Sequence, residues 1–152
     1  MSNYAERNSA RCDMTTEVQQ DVFSVPENVS LAHCVAQDLE MTKGISSVFN
    51  KKFGHLDELK NQQPKVGRIL RLEYGPRALV YMVTRKSYTD RTSYEDIWRA
   101  LTNLKQIVCN YDIKHLAIPK IGHALENLDW KIVRSMLEVI LQKTGVRIPV
   151  LH

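Results

Sequence analysis

The chain has 152 residues, of which 43% are hydrophobic and 25% are charged, and its formal net charge is +4. This length and composition fit one soluble globular domain, and no apolar run approaches the roughly 18 residues that span a bilayer. The polar N-terminal segment Met1–Asp13 lacks the apolar core of a signal peptide, so we expect an intracellular protein of the nucleus or cytoplasm.

The excess of basic residues and the spacing of the cysteines indicate which partners and which kinds of site this chain can have. Lysines and arginines are scattered, and their densest runs are only pairs, which suits an anionic ligand but falls short of a nucleic-acid signature. Cys12, Cys34 and Cys109 are an odd number at wide spacing, which indicates reduced, mostly buried thiols and not disulfides or a zinc site. We therefore expect no metal site and no cofactor, and a nucleic-acid partner is disfavoured. We also expect a monomer and no membrane partner.

Beyond a loose polar tail at residues 1–11, the chain alternates between short strand-like runs and helical patterns. Enrichment in β-branched and apolar residues predicts six strands, at Asp13–Val18, Val29–Ala36, Arg68–Leu72, Leu79–Thr84, His115–Pro119 and Val146–Leu151. Apolar residues at spacings of three and four predict helices at Lys43–Phe53, His55–Gln62, Tyr94–Asn110 and Leu128–Thr144.

Two helix ends and one turn have sequence signals of their own. Ser93 is placed to cap the third helix, with Asp96 in the capping-box position, and Gly145 supplies a stop for the fourth helix. The Tyr-Gly-Pro-Arg turn at residues 74–77 predicts that the third and fourth strands run antiparallel.

Strands that alternate with helices predict an α/β fold with a mixed sheet covered on both faces. In such sheets, ligands bind at the carboxyl ends of strands, where loops lead into helix N-termini. The loops after Ala36, Thr84 and Pro119 are therefore the segments in which to look for a binding site.

Two of these loops contain the small residues of an anion site. Gly44 begins the first helix, and the backbone N–H groups at a helix start attract anions. After the fifth strand, Gly122 and Ala124 permit close backbone approach to a pyrophosphate, and Lys120 and His123 flank them. Each signal is weak alone, because an ordinary strand–loop–helix joint has the same pattern.

Several segments together form a more specific pattern. They are QDVF (20–23), SLAHCVAQDLEMTKGISSVFNKKFG (30–54), LKNQQ (59–63), YMVTRK (81–86), TSYEDI (92–97) and IPKIGHALENLDW (118–130). In this order and spacing they resemble macro domains, most closely the branch of terminal ADP-ribose protein glycohydrolases. The resemblance covers residues 15–152. It implies a three-layer α/β/α sandwich around a mixed, mostly six-stranded sheet, with residues 12–152 forming the macro domain.

The resemblance implies ADP-ribose or an ADP-ribosylated protein as the ligand. Asp21 matches the acidic residue that reads the adenine amino group, and its alternative role is that of a turn carboxylate. The segment 41–45 matches the part around the distal ribose, the segment 122–125 matches the diphosphate loop, and Leu151 stands where that branch has an aromatic near the adenine. The expected ligand-binding residues are Asp21, Val22, Met41, Lys43, Gly44, Ile45, Thr84, Gly122, His123, Ala124, Leu125 and Leu151.

The mechanism that the resemblance implies depends on two residues that are changed here. In the family, a lysine attacks C1″ of the distal ribose and releases the modified carboxylate, and an aspartate helps to resolve the lysyl adduct. Arg85 stands at the lysine position and Glu126 at the aspartate position. Arginine stays protonated and is a poor nucleophile, whereas the change to glutamate keeps the carboxyl and displaces it by about 1 Å.

Lys86 is the remaining candidate nucleophile near that position. Successive strand side chains point to opposite faces, so Lys86 should face away from the cleft that Arg85 enters, unless a bulge at the strand end re-aims it.

Three functions are compatible with these residues. The first is an ADP-ribose-binding module, because the ligand loops are kept and the nucleophile is lost. The second is an active ADP-ribosyl hydrolase, or a phosphatase of ADP-ribose-1″-phosphate, with Glu126 as general acid or base on a water and no lysine step. The third is a nucleic-acid or protein interaction module that uses the basic surface. The sequence favours the first.

Overall fold

The computed structural model of the chain describes residues 14–119 and 128–152, so the predicted tail at residues 1–11 lies outside the described residues. The described strands are Thr15–Val18 (β1), Ser30–Ala36 (β2), Ile69–Tyr74 (β3), Arg77–Arg85 (β4), Leu116–Pro119 (β5) and Ile148–Leu151 (β6). The described helices are Gly44–Phe53 (α1), Leu56–Asn61 (α2), Tyr94–Asn110 (α3) and Trp130–Ile140 (α4), and a 3-10 turn spans Val22–Ser24. No helix in these ranges is both long and apolar enough to cross a membrane.

The six strands form one sheet in the order β1-β6-β5-β2-β4-β3. The first five strands of this order, which are β1, β6, β5, β2 and β4, run parallel to one another. The sixth, β3, lies at one edge and is antiparallel to β4. The register of that pair ends at Tyr74 opposite Arg77, so Gly75 and Pro76 form the turn between them, as the sequence predicts. The mixed six-stranded sheet expected from the sequence is thereby confirmed.

Both faces of the sheet are covered, which explains why β2 and β4 are almost continuous apolar runs. On one face, Val80 packs in a core cluster with Leu101 of α3 and Leu137 of α4. On the other face, Tyr81 packs in a second cluster with Phe49 of α1. Alternate residues of one strand thus face two separate helical layers, and the three-layer α/β/α arrangement is confirmed.

Helix α3 begins and ends at the predicted residues. The Ser93 hydroxyl accepts a hydrogen bond from the backbone N–H of Asp96 at 3.1 Å, which is the N-cap expected from the sequence. The buried side chains of this helix, including Ile97 and Leu104, lie on the face that packs on the sheet. The amphipathic pattern therefore specified the helix and the face that it buries.

The predicted end of α4 is wrong, since the helix spans Trp130–Ile140 and not Leu128–Thr144. At its start, the Asp129 carboxylate accepts a hydrogen bond from the N–H of Lys131 at 2.9 Å and so takes the N-cap position. At its end, Leu141 takes the C-cap position, and Lys143 beyond it has a left-handed φ of 67°, so the chain does not continue as a helix. The other predicted elements begin and end within two residues of the observed ones.

Candidate functional site

The carboxyl ends of the five parallel strands meet along one edge of the sheet. They are marked by Val18, Ala36, Arg85, Pro119 and Leu151. The loops that follow Val18, Ala36 and Arg85 therefore gather at the same edge, where ligands of parallel α/β sheets bind. The strands that precede the three loops singled out in the sequence all end here.

The loops after β2 and β4 are joined through Asp38. Its backbone N–H donates to the carbonyl of Lys86 at 3.3 Å, and the preceding N–H of Gln37 donates to the carbonyl of Arg85 at 2.8 Å. The Asp38 carboxylate accepts from the N–H of Tyr88 at 3.1 Å and from the N–H of Glu40 at 3.0 Å. Asp38 is not among the site residues predicted from the sequence, although an acidic residue directly after a buried strand is a signal for such a role.

The start of α1 leaves its first backbone donors without a side-chain cap. Lys43 occupies the N-cap position in extended conformation, and its side chain makes no capping hydrogen bond. Gly44 follows with φ of 62°, a left-handed conformation that strains any residue with a side chain. Met41 is buried and Ile45 half-buried, so they support the loop from below. An uncapped N-terminus on a helix of this length can attract an anion.

His33 lies beneath this helix start, buried in β2, and the sequence analysis did not select it. Its ring stacks on Phe49 with centroids 4.0 Å apart and meets the Tyr81 ring edge-on at 4.9 Å. Its Nδ1 lies 3.4 Å from the Ser46 hydroxyl, and among the described residues its Nε2 has no hydrogen-bond partner. Burial, with the nearby Arg85 charge, lowers the pKa of His33 to about 3, so the ring is neutral at physiological pH.

Arg85 and Lys86 have different surroundings at the end of β4. Arg85 is only 6% exposed, and its Nε donates to the carbonyl of Tyr88 at 3.4 Å. Its Nη1 is buried and has no hydrogen-bond partner within the described ranges. Burial lowers the pKa of the Arg85 guanidinium, while Cys34, Asp38 and other neighbours act in the opposite direction. Lys86 is exposed.

A register shift precedes Arg85. Val35 of β2 lies opposite Val83 of β4, but the next residue, Ala36, lies opposite Arg85, so Thr84 has no partner across the β2–β4 pair. Thr84 is buried and accepts a hydrogen bond from the Thr92 hydroxyl at 3.1 Å. Because an extra residue reverses the face of every side chain beyond it, this irregularity determines where Arg85 points.

The two described cysteines are free thiols in different settings. Cys34 is half-buried, and burial raises the pKa of its thiol to about 11, against the opposing effects of Arg85 and a hydrogen bond from Thr84. Cys109 is exposed, contrary to the burial expected of it. Its position at the solvent-facing side of the last turn of α3 accounts for the difference. The Cys34 thiol is therefore protonated and unreactive at neutral pH.

Asp21 lies near the ends of β1 and β6, and it caps the 3-10 turn that the sequence analysis did not predict. Its carboxylate accepts from the N–H of Phe23 at 3.0 Å, and the side chain is exposed. Val22 and Leu151 are both buried in the same core cluster. The carbonyl of His152 accepts from the N–H of Gln20 at 3.1 Å, which ties this turn to the end of β6.

The predicted diphosphate loop lies outside the described residues. This applies to Lys120, Gly122, His123, Ala124, Leu125 and Glu126. The segments on either side are described, and they are β5 and the N-cap of α4. Within the described ranges, no group of three or more His, Cys, Asp or Glu side chains is placed to hold a metal ion.

Comparison with known proteins identifies close relatives in sequence. The chain is 36% identical over 135 residues to human ADP-ribose glycohydrolase OARD1, and the alignment covers 89% of each chain. It is 35% identical over 135 residues to the Bos taurus protein of the same name, with the same coverage. No family model matches the chain.

Solved structures share the fold at lower identity. The macrodomain of Thermus aquaticus DarG has a TM-score of 0.79 and 21% identity, covering 91% of this chain and 98% of that one. Thermosipho africanus DarTG in complex with ADP-ribose has a TM-score of 0.74 and 18% identity, covering 90% of this chain and 41% of that one. With the sheet order, the two helical layers and the full-length sequence relatives, these matches show that the chain belongs to the macro-domain family, in its ADP-ribose glycohydrolase branch.

Proposed function

We propose that this chain binds ADP-ribose, free or attached to protein, along the carboxyl edge of its parallel strands. Relatives of the same length are named ADP-ribose glycohydrolases, and a structure with the same fold is described in complex with ADP-ribose. The uncapped start of α1 and the exposed Asp21 carboxylate supply the two kinds of group that such a ligand needs, an anion site and an acceptor for the adenine amino group.

In this proposal, the adenine lies at Asp21 and the distal ribose at the segment 41–45. Lys43 adds a positive charge beside the ligand, and Gly44 gives the loop its left-handed conformation. The segment 122–125 would supply backbone N–H groups to the diphosphate. The buried Val22 and Leu151 would form the floor beneath the base, since they already pack in one cluster.

We further propose that the chain is a binding module and not a hydrolase of the lysine type. The observation that carries this view is the burial of Arg85 at the position of the family's nucleophile. Lysine can act as a nucleophile after losing a proton, and burial helps it to do so. Even with its pKa lowered by burial, arginine keeps its proton, so Arg85 can bind a ribose hydroxyl or phosphate but cannot form the adduct.

A hydrolase without a covalent lysine step is the second candidate. Glu126 keeps a carboxyl group at the position of the family's aspartate, and it could activate a water against C1″. The substrate would be an ester-linked protein adduct or ADP-ribose-1″-phosphate. Incubation with auto-modified, labelled protein separates the two candidates, because release that falls with Glu126→Gln would favour hydrolysis over binding alone.

Calorimetric titration with ADP-ribose tests the binding proposal directly. We expect saturable heat and a rise in melting temperature that grows with ligand concentration, since a ligand of the folded state stabilises it by mass action. The absence of both at millimolar ligand would refute the proposal.

A further inference from the structure

A cavity of about 490 Å³ lies beside the proposed site, between the end of β4 and the first turns of α3. The lining includes Arg85 from the end of the strand, Lys86, Asp90 and Arg91 from the following loop, and Asp96 and Arg99 from the helix. Arg85 is therefore shared between this cavity and the edge at which ADP-ribose is proposed to bind. In the family, the residue at its position reacts with C1″, the atom from which the protein part of the substrate departs.

The described lining of this cavity carries an excess of positive charge. Within residues 14–119 and 128–152, four cationic side chains and two carboxylates line it. One carboxylate, that of Asp90, accepts a hydrogen bond from the backbone N–H of Ser87 at 3.1 Å and so stabilises the turn that contains both residues. In the other carboxylate, that of Asp96, Oδ1 lies 3.7 Å from Nη1 of Arg99. In the described part of the chain, the exposed Lys86 and Arg91 have no carboxylate partner.

Arg85, one of the residues that line the cavity, has an unsatisfied donor. The residue is 6% exposed, and its Nη1 has no hydrogen-bond partner among the described residues. A buried guanidinium N–H without an acceptor is unfavourable, so a turn of this side chain towards an anion in the cavity would be favoured. Arg99, on the helix side, lies close to Gly67, because a Cβ added to Gly67 would lie 2.5 Å from Cδ of Arg99.

We propose that this cavity receives the carboxylate of a glutamate or aspartate side chain next to the modified residue of an ADP-ribosylated protein. The inference rests on the proposed function, since it assigns a substrate feature to the same site. A carboxylate matches the forked donors of arginine, and Lys86 and Arg91 would attract it at the rim. The chain would thus prefer modification sites in acidic segments.

A nucleic acid is the less favourable occupant. A phosphate backbone presents a continuous row of charges, whereas Asp90 and Asp96 interrupt the positive lining. Among the residues that the structure describes, the lining also includes no aromatic side chain on which a base could stack. A single carboxylate on a flexible peptide side chain avoids both problems.

Two short peptides test the proposal. In both, ADP-ribose is attached through the side-chain amide of a central glutamine, which resists hydrolysis, and the flanking residues are either glutamates or glutamines. We expect the wild-type chain to bind the glutamate-flanked peptide about fivefold more tightly, the upper end for one exposed ion pair. Arg91→Gln should lower this preference, with Arg85 and Lys86 left in place, without changing the affinity for free ADP-ribose. Lys105→Gln, an equal charge change on the exposed face of α3, should keep it.

The outcomes separate this inference from the proposed function. If free ADP-ribose binds but the two peptides bind equally, the carboxylate site is refuted and the ADP-ribose site stands. If free ADP-ribose fails to bind, the proposed function itself is refuted. A preference that is unchanged in Arg91→Gln would place the acidic contact elsewhere and refute the proposed cavity. Competition by a short oligothymidylate that depends on Arg91 would assign the cavity to nucleic acid and also refute the proposal.

Discussion

The carboxylate of Asp38 accepts a hydrogen bond from the backbone N–H of Tyr88 at 3.1 Å, across 50 positions of sequence. The carbonyl of the same Tyr88 accepts from Nε of Arg85 at 3.4 Å. One peptide segment of the loop after β4 is therefore held from two sides, by an acid that follows β2 and by the buried arginine that ends β4. Asp38 and Arg85 thus hold the same backbone segment beside the edge where the ligand is proposed to bind.

Asp38→Asn should destabilise the fold by about 1 kcal/mol, because an amide can accept from only one of the two N–H groups that the carboxylate serves. Its NH₂ group would then face a backbone donor. Urea unfolding measures the change. Asp112→Asn is the matched control, since that aspartate is exposed and already has a left-handed φ of 51°, which asparagine tolerates. Equal losses in the two variants would contradict the role given to Asp38.

Gly44→Ala should weaken ADP-ribose binding more than its effect on stability explains. The residue has a φ of 62° at the start of α1, so a side chain there forces the loop to shift. Gly75→Ala is the control, because its φ is 61° and its Cβ would also meet open space, but it lies in the β3–β4 turn. Both variants should lose about 1 kcal/mol of stability. Similar ADP-ribose affinities in the two, measured by calorimetry, would remove Gly44 from the site.

Arg85→Lys should introduce a nucleophile where the wild type has none. The position is buried, and burial lowers the pKa of a lysine towards the range in which its free amine attacks. We expect release of label from auto-modified protein, together with an adduct that borohydride traps. Adding Glu126→Asp should increase release further, by up to about a hundredfold, if a misplacement of about 1 Å limits the rate.

The control for that experiment is Lys86→Arg in the wild-type background. Any release by the wild type that disappears in this variant would mean that Lys86, not Glu126, supports the chemistry. If the wild type releases no label and Arg85→Lys is also inactive, the replacement at position 85 is not the only change that prevents hydrolysis.

His33 should make the fold less stable as the pH falls. Its pKa is about 3 in the folded chain and about 6.5 when unfolded, so between these values the unfolded state binds a proton that the folded state does not. This difference removes about 2 kcal/mol of stability between pH 7 and pH 5. Urea unfolding of His33→Gln should lack that part of the pH dependence. An NMR titration in which the His33 ring protonates near pH 6 would contradict the prediction.

Much of the fold could be predicted because its signals are local. The spacing of apolar residues and the Ser93 cap specified α3 completely, and the turn at Gly75 and Pro76 specified the antiparallel pair. The C-terminal end of α4 could not be predicted in the same way. It depends on the left-handed Lys143, for which the apolar pattern contains no signal.

The site was less predictable because its contacts join distant segments. Gly44 could be found from the sequence, since a glycine before a helix is a local signal. The bond from Asp38 to Tyr88 and the stacking of His33 on Phe49 depend on strands brought together by the sheet order. The resemblance to macro domains supplied Asp21, whose capping role alone would not have suggested a ligand.

The extra residue in β4 concerns two separate properties of position 85, which are where its side chain lies and how that side chain reacts. The register shift at Thr84 fixes the place to which the next side chain is delivered, whatever that side chain is. The strand register that delivers residue 85 is therefore independent of whether that residue is a lysine or an arginine. A replacement at this position would add or remove a nucleophile without altering the register. Relatedness to glycohydrolases thus indicates where the side chain lies better than it indicates how that side chain reacts.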